Sequence, residues 1–166
     1  MKKKTAYMGL FLALALICSY IESFFSLGIP GIKLGLTNIV VIWLLYLIGT
    51  REAIFISILR IILAGFMFGN AFSIIYSLAG GILSFLTMYL MKKTNKFKCI
   101  TVSIVGGIFH NIGQIIVAAI VVENSSLFYY LPVLLVSGVV FGVVIGMVGA
   151  VLVKRLSGFI QKQDIF

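Results

Sequence analysis

The residues of this chain able to do chemistry are few, and most lie inside apolar segments. His110, the only histidine, is followed by Asn111 and Gln114 in the run Gly107-Ile108-Phe109-His110-Asn111-Ile112-Gly113-Gln114. His110 and Gln114 are four apart and share one helix face, while Asn111 points about 100° away. Arg60, Glu22 and Asn38 sit in other apolar runs. Such groups suit hydrogen bonding and charge recognition of a small ligand. One histidine with no nearby cysteine or aspartate does not supply the usual ligands of a metal, and no cofactor motif is present. Cys18 and Cys99 have no metal-ligand spacing and no obvious disulfide, and read as packing residues.

Polar side chains in apolar runs matter because of where those runs must lie. The 166 residues are 62% hydrophobic and 10% charged, against roughly 25% charged in soluble domains. Apolar stretches are continuous rather than alternating, which excludes a barrel and gives an all-α integral membrane protein. Six spans are expected, near 6–26, 34–49, 52–68, 71–91, 99–122 and 131–153, in a single domain over 1–166. The break between the first two is Gly28-Ile29-Pro30-Gly31-Ile32-Lys33, where Gly and Pro stop simple helix continuation.

The net charge of +9 does not signal nucleic-acid binding, because the basic residues lie in short clusters between apolar spans. With the N-terminus inside, Lys2, Lys3, Lys4, Arg51, Lys92, Lys93, Lys96, Lys98, Lys154, Arg155 and Lys162 are cytoplasmic, and Lys33 alone is outside. This asymmetry predicts a cell-membrane protein with both termini in the cytoplasm. The apolar run after Lys2–Lys4 reaches Leu27 without a small-x-small cleavage site, so it reads as a retained helix.

At a rise of about 1.5 Å per residue, Arg60 lies about 12 Å and His110 about 16 Å from the cytoplasmic side. Glu22, Asn38 and Gln114 fall in the outer part of their spans. The polar residues therefore share the middle and outer layers, which predicts a pocket reached from outside and closed by the Pro30–Lys33 loop. Two readings of the layer stand side by side: a ligand site, or a buried structural network. Arg60 either pairs with Glu22 or receives an anionic group of a ligand. Lys33 either adds attraction for that ligand or is a solvated loop lysine.

Small residues recur every four positions at Gly138, Gly142, Gly146 and Ala150, a stripe that permits close helix approach. Gly9 and Ala13 make a shorter version in the first span. The long stripe reads as internal packing, and the short one as a candidate face for a second membrane subunit.

The run Pro30-Gly31-Ile32-Lys33-Leu34-Gly35-Leu36-Thr37-Asn38-Ile39 resembles the signature loop of the Gx transporter family, also labelled heptaprenyl diphosphate synthase component I. Leu59-Arg60, Ser77-Leu78-Ala79-Gly80-Gly81-Ile82-Leu83-Ser84 and the Gly107–Gln114 run resemble its other motifs in the same order. This resemblance implies kinship with the substrate-binding S components of energy-coupling-factor (ECF) transporters. Those are six-helix proteins that capture a micronutrient outside and dock on a transmembrane coupling subunit with two ATPases. On this resemblance Gly9 and Ala13 are the docking candidates, and membrane lipid and a small-molecule ligand are the other partners.

The label of synthase can be set against the residues. Prenyl diphosphate synthases hold Mg²⁺ on paired Asp-rich motifs, and the only aspartate here is Asp164 in the C-terminal tail. No Gly-rich Lys loop for ATP is present either. The chain is therefore expected not to be an enzyme. A small solute is the expected cargo, and the alternative is an accessory membrane protein that recruits a prenyl diphosphate synthase.

Overall fold

A computed structural model describes residues 2–24 and 35–162; the Gly28–Lys33 loop, and with it Lys33, lies outside the described residues. The described residues form α1 (Lys2–Ser23), α2 (Asn38–Leu47), α3 (Thr50–Phe68), α4 (Ala71–Lys93), α5 (Cys99–Val121), a 3₁₀ helix (Ser125–Tyr130) and α6 (Leu131–Lys162). They contain no strand. Four helices, α1, α4, α5 and α6, are long and apolar enough to cross a bilayer.

The run expected as the second span, 34–49, carries a shorter helix. α2 has 10 residues, about 15 Å of helix where a bilayer core is about 30 Å thick. Residues 35–37 form a turn before it, in which the N–H of Asn38 donates to the Gly35 carbonyl at 2.9 Å. Beyond Asn38 the short helix is apolar on every side, and Val40, Val41, Ile42, Trp43, Leu44 and Leu45 are all buried. A helix apolar all round belongs in the interior, and α2 indeed contacts α1, α3, α5 and α6.

Local chemistry fixes the other ends. Asn70 caps α4 by accepting from the Ser73 N–H at 2.8 Å. Asn124 accepts from the Ser126 N–H at 2.9 Å and opens the 3₁₀ helix. Pro132 occupies the first turn of α6, where a missing N–H costs nothing. At the end of α2, Lys92 donates to the Leu45 carbonyl and lies 5.0 Å from the centre of the Tyr46 ring. A cation there satisfies a terminal carbonyl and complements the helix dipole.

Successive helices run up and down, so Lys4, Glu52 and Lys92 gather at one end of the bundle. This basic end is tied by the Lys4–Glu52 ion pair between α1 and α3, at 2.5 Å. Above it lies the main apolar core, built from Phe11, α2, Ile56, Met88, Val102 and Ile145, with Cys18 and Cys99 packed against it. Both cysteines are free thiols. Polar residues collect toward the opposite, distal end.

Glycines set the closest approaches. A Cβ on Gly107 would lie 2.5 Å from the Gly138 carbonyl oxygen, and Cβ atoms on Gly142 and Gly146 would lie 2.6 and 2.7 Å from the Cα atoms of Ile104 and Ile100. The long stripe on α6 is thus filled by α5, as internal packing. α4 meets the other side of α5 in the same way, through Gly80 and Gly113. By contrast, no atom of the described residues lies within 4 Å of a Cβ built on Gly9, and Ala13 is exposed on the same side of α1.

Candidate polar site in the distal half

Glu22 is carried at the distal end of α1 and is only 2% exposed. Its Oε1 accepts from the backbone N–H of Gly35 and from that of Leu36 at 3.1 Å, and its Oε2 accepts from the Thr37 hydroxyl at 2.9 Å. Ser19, one turn earlier on α1, places its Oγ 3.5 Å from Thr37 Oγ1. The carboxylate therefore serves as a cap from another helix, satisfying free donors where α2 begins.

Gly35 is required for this turn. Its φ is +84°, a left-handed conformation costly for a side-chain-bearing residue. A Cβ there would also come within 3.2 Å of Asn38 Nδ2 and 3.4 Å of His110 Cδ2. The start of α2 is thereby brought against α5, and Asn38 is held beside the histidine face.

Arg60 sits on the buried stripe of α3 formed by Ala53, Ile56, Ser57, Arg60, Ile61, Ala64 and Gly65. It is 2% exposed. Among the described residues, its Nε and Nη2 have no hydrogen-bond partner, and it forms no ion pair with Glu22. The expected alternative of an Arg60–Glu22 pair is corrected: the acid is within electrostatic reach, but its oxygens are taken by Gly35, Leu36 and Thr37. Two backbone N–H groups and a hydroxyl reach it at hydrogen-bond distance, where the guanidinium does not.

The face of α5 that carries His110 and Gln114 is turned to α4. A Cβ on Gly80 would lie 2.6 Å from the His110 carbonyl oxygen and 2.7 Å from Gln114 Cγ. His110 is 2% exposed and Gln114 fully buried. Asn111 faces α6 instead, as helix geometry predicts: its Nδ2 donates to the Leu134 carbonyl at 2.6 Å and to Ser137 Oγ at 3.3 Å. That amide braces the α5–α6 contact beside Gly138, and its Oδ1 has no partner.

The register between α3 and α4 locates Arg60 relative to the α5 face. Cβ atoms on Gly65 and Gly81 would strike Ile74 and Ile61 respectively. Antiparallel helices in that register set Arg60 at the level of Gly80, and so of His110. Ser77, one turn toward the distal end, has a buried hydroxyl without a partner, and so does the Asn38 amide nitrogen. One layer thus receives Glu22 from α1, Asn38 from α2, Arg60 from α3, Ser77 from α4, His110 and Gln114 from α5, and Ser137 from α6.

The sequence had singled out Glu22, Asn38, Arg60, His110, Asn111 and Gln114. It had not assigned roles to Ser19, Gly35, Thr37, Ser77 or Ser137. The Gly35-Leu36-Thr37-Asn38 run was a visible signal, since Gly before Thr and Asn marks a turn, but nothing local says which acid fills it. Among the described residues no cluster of three metal-ligating side chains occurs.

An all-helical membrane protein with a polar layer buried in one half is the class these features define. The chain belongs to the family described as heptaprenyl diphosphate synthase component I, which matches residues 11–152. Comparison with curated proteins and with solved structures gives no match.

Proposed function

We propose that this protein is a membrane substrate-capture subunit, similar to the S component of an ECF-type transporter, that binds a small solute in the distal polar layer. The observation that carries this reading is the convergence of polar groups from six helices at one level, with Arg60, Asn38 and Ser77 retaining unpartnered buried atoms. A purely structural network at membrane depth tends to satisfy its own donors, since unsatisfied ones are costly. Glu22, Asn38, Arg60, His110 and Gln114 line the site in this reading, and Asn111 supports it from the α6 side; Lys33, outside the described residues, adds attraction for the solute. The basic end faces the cytoplasm, so the site opens outward. With no ATP-binding loop of its own, the chain takes its energy from a coupling subunit with two ATPases, docked at Gly9 and Ala13.

Uptake by cells and retention of a small molecule by the purified protein test this directly. Arg60→Ala and Gln114→Ala are expected to reduce both about tenfold or more. Unchanged uptake and retention in both variants would sink the proposal. The second reading, suggested by the words of the family description, is an accessory protein that anchors a prenyl diphosphate synthase at the membrane. Affinity isolation from membranes separates the two: ATPases and a coupling subunit support transport, and a prenyl synthase supports the second.

A further inference from the structure

Arg60 is a buried cation with one edge unused. Nε and Nη2 are both buried without a hydrogen-bond partner among the described residues, and they lie on the same side of the guanidinium. That edge presents two parallel N–H donors, the fork that matches two oxygens of one carboxylate or phosphate. The acid in its neighbourhood, Glu22, is committed to the turn before α2. A guanidinium in an apolar bundle without a hydrogen-bonded counter-charge is strongly disfavoured, and buried charges are ordinarily paired. Asn38 Nδ2 offers another unpartnered donor in the same layer.

Resting on the capture reading above, we infer that the solute carries an oxyanion, a carboxylate or a phosphate, that seats on the Nε–Nη2 edge of Arg60. The anion supplies the charge that Glu22 does not. A further oxygen of a phosphate, or a second lone pair of a carboxylate oxygen, is an acceptor of the class that Asn38 would serve. The same chemistry can come from a soluble metabolite or from an anionic lipid headgroup, and the two sources differ in how they reach the site.

The test uses the full chain in phosphatidylcholine nanodiscs, with thermal unfolding followed in inorganic phosphate, in acetate and in chloride as control. Phosphate or acetate is expected to raise the unfolding midpoint of the wild type. Arg60→Met is expected to abolish the rise, and Arg60→Lys, which keeps charge but loses the fork, to weaken the apparent affinity about tenfold or more. A second arm replaces phosphatidylcholine by phosphatidylglycerol with no added oxyanion. Stabilisation confined to that arm and lost in Arg60→Lys assigns the anion to a lipid headgroup. No stabilisation of the wild type in either arm, or equal stabilisation of Arg60→Lys, overturns the inference. If Arg60→Met does not fold, the wild type and Arg60→Lys decide. Native mass spectrometry separates this inference from the capture reading: a neutral molecule lost in Gln114→Ala but kept in Arg60→Lys removes the anion and leaves capture standing. Arg60-dependent phosphate binding with unchanged uptake in Arg60→Lys and Gln114→Ala removes capture instead.

Discussion

Between α5 and α6 the backbones touch, with glycines at Gly107, Gly138, Gly142 and Gly146 leaving no room for a Cβ. Between α1 and the rest of the bundle the contacts are of another kind. α1 turns Phe11, Ala15, Ser19 and Glu22 inward and leaves Leu10, Ile17 and Ile21 exposed. Its specific attachments are polar and sit near its two ends: Lys4 to Glu52 at the basic end and Glu22 to the Gly35–Thr37 turn at the distal end. The C-terminal half is therefore a rigid wall for the His110–Gln114 face. The N-terminal half carries the charged groups and an uncovered helix face. Small residues every four positions mean close packing only where a partner helix is present, and the same pattern on α1 meets none among the described residues.

Substitutions at the two glycine sites should separate the halves most sharply. Gly107→Leu forces a side chain into the Gly138 backbone, which cannot yield as a flexible side chain would. It should cost about 3 kcal/mol or more, measured by reversible unfolding in mixed detergent. Glu22→Leu comes next, since it strands the Gly35 and Leu36 N–H groups and the Thr37 hydroxyl in the interior. A loss of about 2–3 kcal/mol is expected, with faster hydrogen exchange at the start of α2 as the local signature. A smaller effect is expected from Lys4→Ala, because the pair is partly solvated: about 0.5 kcal/mol, diminishing with added salt. Gly9→Leu should change intrinsic stability by less than about 0.5 kcal/mol, while weakening recovery of any coupling subunit with the tagged protein. A large loss of stability in Gly9→Leu would erase the contrast between the two stripes.

The site was legible in the sequence to the extent that depth is legible. Rise per residue and the order of the spans bring Arg60 and His110 to one level, and the α3–α4 register agrees. The turn of Asn111 away from His110 also follows from helix periodicity alone. What could not be read was pairing. Glu22 and Arg60 are opposite charges at similar depth, so the sequence leaves an ion pair open, whereas in the fold the Gly35–Thr37 turn occupies the carboxylate. The shortness of α2 was hidden for a related reason: an apolar run reads the same whether it is helix or the extended approach to one.

By itself the sequence determined a helical membrane protein with its basic residues at one end and its polar residues in the other half. Those properties follow from hydrophobic content and from the 3.6-residue period, both local along the chain. Tertiary structure alone decided which stripe of small residues is filled, which donors satisfy Glu22, and that Arg60 keeps an unused edge. Each of these depends on residues far apart in sequence competing for one position in space, where a difference of an ångström selects a hydrogen bond or excludes a methyl group.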